Sequence, residues 1–171
     1  MNDAWVTAMI GVRFVEQGRD LAGFDCWGAV AHGLRQGFGI VVPSYTEAYT
    51  TSQEGDEIAA LIGRESSGWL AVPLADAQPG DVLILRIQGR PWHCGLVLEP
   101  PAFLHADRTL WTVRDRWDSP VWSRRIIGLY RHPEMAARRL ARSDGLQEAA
   151  CPHTPGNAAH QLKSVTGDGG Q

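Results

Sequence analysis

The sequence predicts an α+β domain, with N-terminal helices packed on an antiparallel sheet that runs as a meander. Three observations carry that prediction. Helix-period apolar spacing comes first, within residues 5–63, short β-rich runs separated by turn residues then fill residues 82–130, and the two kinds of element do not alternate. Strict βαβ alternation would have implied a parallel sheet, whereas helices first and strands afterwards is the α+β order. The chain has 171 residues, 44% of them hydrophobic, which is one domain's length with a sizeable core.

Taken in order, Trp5, Val6, Met9, Ile10 and Phe14 recur at roughly helical spacing, with Asn2 and Asp3 as N-caps and Gly18 as a stop. A short helix within 5–17 that frays into an irregular segment is expected. Gly18 to Phe24 has loop chemistry. From Cys26 the small and apolar residues Ala29, Val30, Ala31 and Leu34 predict a second helix ending near Gly37, with Asp25 and Cys26 at its N-terminus. A third helix is expected over 56–63, where Ile58, Leu61 and Ile62 share a face. Gln78-Pro79-Gly80-Asp81 is a turn, and strands are predicted at Val82–Leu85, His93–Leu98, Ala102–His105, Trp111–Val113 and Ile126–Tyr130. The domain is expected over 1–133. Residues 134–171 are expected to form one exposed helix over Met135–Arg142 and a flexible tail, poor in large apolar side chains, that orders against a partner.

Several function classes are disfavoured. Sixteen basic and 19 acidic residues without blocks give a net charge of -3, so no basic stripe for nucleic acid is expected. The longest apolar stretches, such as Ile126–Tyr130, fall far short of the roughly 20 residues of a membrane span, so a soluble protein is expected. No charged, apolar and small-residue series marks a secretory signal near Met1. Three cysteines, Cys26, Cys94 and Cys151, are an odd number without a Cys-x-x-Cys pair, which disfavours a disulfide framework.

Chemistry concentrates at three places. Gly23-Phe24-Asp25-Cys26-Trp27-Gly28 sets a thiol where a loop enters a helix. There unpaired amides and the helix dipole lower a thiol pKa and can hold an oxyanion. The bland alternative is a buried, inert cysteine. In Pro91-Trp92-His93-Cys94-Gly95-Leu96, period-two alternation sends His93 and Cys94 to opposite faces, so only one is expected to face Cys26. His93 is the better base, and Cys94 is expected to point away into the core. His105, in Phe103-Leu104-His105-Ala106, lies twelve residues on, a distance that a hairpin folds back, and it would orient the His93 ring. The same three residues are also a conceivable zinc set, without the short spacing such sites favour. His32, His132, His153 and His160 read as structural or solvated. Of the tryptophans at 27, 69, 92, 111, 117 and 122, most are expected to pack, Trp27 and Trp92 being singled out because each adjoins a candidate residue.

These segments resemble a family, the NlpC-type cell-wall peptidases, papain-like cysteine endopeptidases that act on peptidoglycan. Gly23-Phe24-Asp25-Cys26-Trp27-Gly28 resembles the nucleophile motif, and Pro79-Gly80-Asp81-Val82 the turn before the base strand. His93-Cys94-Gly95-Leu96 resembles the base strand and Phe103-Leu104-His105-Ala106 the strand of the third residue, the likeness covering residues 8–132. The resemblance implies a papain-like fold with Cys26 as nucleophile, His93 as general base and acid, His105 as orienting residue and the Cys26 amide in the oxyanion hole. Asp25, Trp27 and Trp92 would line the oxyanion and substrate groove, and neither cofactor nor metal is implied. The implied reaction is hydrolysis of a stem-peptide amide, between D-glutamate and a diamino acid such as diaminopimelate.

Trp27 after the nucleophile, the compact domain and the lack of a leader or wall-binding repeat are most similar to the branch found in tailed phages and gene transfer agents. That branch implies synthesis in the bacterial cytoplasm, incorporation in a tail tip beside hub proteins, and action at the cell wall during DNA delivery. A structural tail-tip protein with little or no activity is the alternative. Arg13-Phe14 stands where many relatives have Pro-Tyr, so a phenolic hydroxyl available to them is missing.

Overall fold

A computed structural model describes residues 4–45 and 68–138. The helix expected over 56–63, the end of the one expected over Met135–Arg142, and the tail over 143–171 lie outside them. Two helices come first, α1 (Ala4–Met9) and α2 (Cys26–Phe38). Between them, β1 (Arg19–Asp20) and β2 (Gly23–Phe24) form a small ribbon. A six-stranded antiparallel sheet follows, made of β3 (Leu70–Ala71), β4 (Val82–Ile87), β5 (Arg90–Val97), β6 (Ala102–Asp107), β7 (Trp111–Arg116) and β8 (Ile126–Arg131) in the order β3-β8-β4-β5-β6-β7. The fold is α+β. Strands β4 to β7 run as a meander, and β8 returns to the other side of β4 instead of extending past β7.

The first helix stops at Met9, well before Gly18, for a non-local reason. Gly11 takes a left-handed φ of 79°, and its amide donates to the Thr112 carbonyl at 2.8 Å. The Thr112 amide in turn donates to the Val12 carbonyl at 2.8 Å. Phe24 donates to Arg13 at 3.1 Å, and Val15 donates to Phe24 at 3.0 Å. Backbone partners on β7 and β2 thus replace the helical ones that periodicity alone would assign. The stretch expected as a loop is likewise the β1–β2 ribbon, whose turn is closed by the Ala22 amide donating to Asp20 Oδ1 at 2.8 Å.

Helix α2 packs between two parts of the core. Val30, Leu34 and Cys26 meet Val82, Ile84, Cys94 and Leu96 of the sheet, while Ala29 joins Phe24, Leu104 and Ala106. Gly33 and Gly37, one turn apart, let the Trp5 indole lie on the helix, since a Cβ at Gly37 would stand 2.7 Å from Trp5 Cζ2. The helix ends at Gly39, left-handed at φ 66°, whose amide donates to Arg35 at 3.1 Å. On the opposite face of the sheet Leu83, Leu85, Val97, Phe103 and Leu129 are covered by Trp117 and Trp122. Because both faces are covered, β4 is buried without alternation over Val82–Leu85 and β6 over Ala102–Ala106, the latter including His105.

The Pro79-Gly80-Asp81 turn is tied to the last strand. Arg131 Nε donates to Asp81 Oδ1 at 2.7 Å and Nη2 to Oδ2 at 2.8 Å, with Asp81 fully buried. Arg131 Nη2 also donates to the Asp76 carbonyl at 3.0 Å. This bidentate pair pins β4 to β8 from one end.

Candidate active site

Helix α2 begins at Cys26 because Asp25 caps it. Asp25 Oδ1 accepts from the Gly28 amide at 2.6 Å and from Arg19 Nη1 at 2.7 Å, and Oδ2 accepts from the Gln17 amide at 3.1 Å. At 1% exposure, Asp25 serves the site by fixing the helix start rather than by lining a groove. The Ala29 amide donates to the Asp25 carbonyl at 3.0 Å. Cys26 and Trp27 are therefore the first-turn residues whose amides have no acceptor within the helix and face its open end. Gly28 makes the entry fit, since a Cβ there would run into the Gly18 carbonyl oxygen. Trp27 packs sideways, its indole N–H donating to the Pro43 carbonyl at 2.9 Å and its ring lying 5.4 Å from that of Tyr45.

The Cys26 thiol is 8% exposed, yet its pKa is lowered from 9.0 to about 5. The hydrogen bond from the Cys94 thiol lowers it most, burial opposes this, and the hydrogen bond and positive charge of His93 lower it further. At neutral pH the sulfur is a thiolate. Cys94 takes the opposite shift, held well above 9.0 chiefly by its hydrogen bond to Cys26 and by burial, so it stays a thiol. The expectation that Cys94 points away from Cys26 is thus corrected. Alternation does send the two neighbours to different faces, and it is Cys94 that packs with Cys26 beneath α2, among Ile84 and Leu96. His93 reaches the same sulfur because alternation fixes the direction of Cβ and not the reach of an imidazole.

On the other face, His93 Nε2 and His105 Nδ1 are 2.9 Å apart with their rings nearly perpendicular, at 88°. That contact commits His93 Nε2, which leaves Nδ1 for Cys26. His105 is fully buried, and its pKa is pushed down to about 3, first by burial and then by the charge of His93. It is neutral at the pH where Cys26 is ionised. The two rings are held by aromatic neighbours: Trp122 lies near parallel to His93 at 5.8 Å, and Phe103 stacks on His105 at 4.9 Å. Gly95 makes room for that Phe103 ring, whose Cδ2 stands 2.5 Å from where a Cβ would be.

One neighbour escaped the sequence reading. Asp115 Oδ2 lies 3.8 Å from His105 Nε2 and accepts from Trp122 Nε1 at 2.7 Å. The β6–β7 register sets Phe103 opposite Asp115 and His105 opposite Val113, which brings Asp115 diagonally beside His105 on the same face. Counting back from the Asp107–Trp111 end of the hairpin in steps of two would have found it, given the register.

Trp92 is half-buried on β5, with the Arg90 guanidinium 5.6 Å from its ring. Its indole nitrogen is buried without a hydrogen-bond partner among the described residues. Among the same residues no group of three His, Cys, Asp or Glu side chains is arranged to hold a metal ion. A cleft of about 1090 Å³ between α1 and the β6–β7 end of the sheet, lined by Trp5, Phe38, Pro100 and Arg114 among others, shares no residue with the Cys26 site.

Residues 11–131 match the model of the NlpC/P60 family. No curated protein sequence matches. Among solved structures, the chain is similar to an NLP/P60-family protein, similar to lipoprotein, from Staphylococcus aureus subsp. aureus Mu50, at 20% identity and a TM-score of 0.53 over 75% of this chain and 40% of that one. It is also similar to an NlpC/P60-family protein from Bacillus cereus ATCC 10987, at 18% identity and a TM-score of 0.54, covering 72% and 36% of the two chains. A third is the NlpC/p60 domain of the peptidoglycan hydrolase SagA, at 20% identity and a TM-score of 0.50, covering 76% and 98%. This chain thus spans well under half the length of the first two. At these identities the likeness is one of fold.

Proposed function

The chain belongs to the NlpC/P60 family, and on that premise we propose that it is a peptidoglycan hydrolase, a cysteine peptidase that opens a stem-peptide amide of the bacterial cell wall. The observation that carries this reading is the contiguous set of Cys26 thiolate, His93 and His105 at the start of α2. The likeness to the domain of a peptidoglycan hydrolase supports the choice of substrate.

The chemistry follows from the geometry. The Cys26 thiolate adds to the amide carbonyl carbon, forming a C–S bond while the carbonyl electron pair moves to oxygen. The amides of Cys26 and Trp27 stabilise that oxyanion. Collapse breaks the C–N bond, and the departing amine takes the proton held by His93. A water molecule, deprotonated by His93, then hydrolyses the thioester to a carboxylic acid and returns the thiolate. His105 keeps the His93 ring in line throughout.

The finer reading names the bond between D-glutamate and diaminopimelate and sets the enzyme in the tail tip of a phage or gene-transfer-agent particle, beside hub proteins, acting on the wall side of the envelope. What supports it is the resemblance of Asp25-Cys26-Trp27-Gly28 to the motif of that branch. Digestion of purified Gram-negative and Gram-positive peptidoglycan by wild type and Cys26→Ala, with fragments identified by mass spectrometry, tests both levels. A new stem-peptide terminus made only by wild type is expected, and its identity names the bond. Equal products from both proteins would overturn Cys26 as nucleophile, and intact walls with wild type would overturn the hydrolase reading for the free protein.

A further inference from the structure

We propose that Asp115 is a positioning residue of this site, holding His105 in the tautomer that lets His93 act as a base. The proposal rests on the reading of Cys26, His93 and His105 as a peptidase site. For His93 to take a proton at Nδ1, its other nitrogen, Nε2, must carry hydrogen and donate to His105 Nδ1, 2.9 Å away. His105 must then carry its own hydrogen on Nε2. The opposite tautomer would place hydrogen on His105 Nδ1, force His93 Nε2 to accept, and leave the His93 proton aimed at the sulfur. While His93 is an imidazolium beside the thiolate, its own Nε2 hydrogen selects the first state; once the amine has left with the Nδ1 proton and His93 is neutral, nothing in the two rings themselves chooses between them.

Asp115 supplies the choice. His105 Nε2 is buried with no hydrogen-bond partner among the described residues, and Asp115 Oδ2 lies 3.8 Å from it. That distance exceeds a hydrogen bond, so at rest the link is the field of the carboxylate on an N–H dipole. The carboxylate is itself anchored, Oδ1 accepting from the Arg116 amide at 2.9 Å and Oδ2 from Trp122 Nε1 at 2.7 Å. Asp107 also faces His105 electrostatically, but its Oδ1 accepts from the Thr109 and Leu110 amides in the β6–β7 turn, at 2.7 and 2.9 Å. When His93 becomes an imidazolium, the positive charge is relayed as polarisation through His105 toward Asp115, and no proton needs to reach the carboxylate. The same residue orders Trp122, whose ring lies against His93.

The test compares wild type, Asp115→Asn and Asp115→Glu, since Asn keeps an oxygen for Trp122 while losing the charge. Ring nitrogen shifts from ¹⁵N-histidine NMR at neutral pH, on protein whose Cys26 has been blocked with iodoacetamide so that no thiolate holds the His93 charge, are expected to show His105 protonated at Nε2 in wild type and a mixed tautomer in the Asn variant. The pH midpoint for alkylation of Cys26 by iodoacetamide is expected to rise by about half a unit in Asp115→Asn, because the His93 charge is less supported. On a stem-peptide substrate, kcat is expected to fall about tenfold with KM within about twofold, and Glu to restore most of it. Protonation of wild-type His105 at Nδ1 would overturn the proposal, a result that does not depend on any variant folding. Unchanged ring shifts and alkylation profile in a folded Asn variant would overturn it as well. If wild type cleaves no peptide, the function reading fails by that result, while the NMR and alkylation measurements still decide the role of Asp115.

Discussion

Cys94 is the side chain that most changes how the Cys26 thiol is understood, because its hydrogen bond is the largest cause holding that thiol near pKa 5. Replacing Cys94 with Val, similar in size and apolar, is expected to move the alkylation midpoint of Cys26, followed on its own peptide by mass spectrometry, upward toward the ordinary thiol range. An unchanged midpoint would show that His93 alone sets it. The two histidines are expected to differ in what they contribute. His93→Ala removes proton transfer and is expected to cost about 10²- to 10⁴-fold in kcat, whereas His105→Ala removes orientation, which water partly replaces, and is expected to cost less. Equal losses measured on one substrate would contradict separate roles. At this scale Cys26, His93 and His105 were legible because residue type and the twelve-residue separation of the histidines suffice to suggest a hairpin contact. Cys94 and Asp115 were not, since their roles depend on the reach of neighbouring side chains and on a strand register that no local pattern states.

The element that positions the chemistry is α2, and its start is fixed by a close backbone approach as much as by its cap. Gly28→Ala would drive a Cβ into the Gly18 carbonyl, a backbone atom that cannot rotate away. The first turn would then shift off Asp25, so we expect a loss of at least about 1 kcal/mol of stability from the cap, read by urea unfolding, together with loss of activity. An active, equally stable variant would contradict the account of the helix start. The start of helix α2 was readable to the residue, because its cap and its small apolar face are local signals, whereas the glycine that ends it is Gly39, and Gly37, expected as the stop, lies inside the helix against Trp5. Helix α1 was readable only as a start. Its end at Met9 and the β1–β2 ribbon are set by hydrogen bonds to β7 and β2, partners that sequence periodicity does not display. The return of β8 to β4, rather than to β7, is the same kind of long-range choice.

For the molecule as a whole, the buried Asp81–Arg131 pair ties the start of β4 to β8 and lies apart from the Cys26 site. Asp81→Ala leaves a buried guanidinium without its partner and is expected to cost about 3–5 kcal/mol in urea unfolding while the alkylation midpoint of Cys26 stays put. A loss below about 1 kcal/mol would show the pair to be dispensable. Acid stability is tied to the site through His105, whose folded pKa of about 3 lies below its ordinary 6.5, with His93, Asp115 and Asp107 acting on it electrostatically. Between those values the unfolded chain binds a proton that the folded one excludes, so this group's contribution to stability is complete above about pH 6.5. It declines as pH falls toward about 3, by at most about 5 kcal/mol. His105→Asn, which does not titrate, is expected to flatten that decline, and an unchanged pH profile would contradict it. The α+β class was legible from the order of its elements, because that order is a property of the whole chain. The most direct test of the central claim is acid-quenched mass spectrometry of the protein mixed with a muropeptide stem. The account predicts a thioester adduct on the Cys26 peptide alone, formed and lost as product appears, and product without any adduct on Cys26 would contradict it.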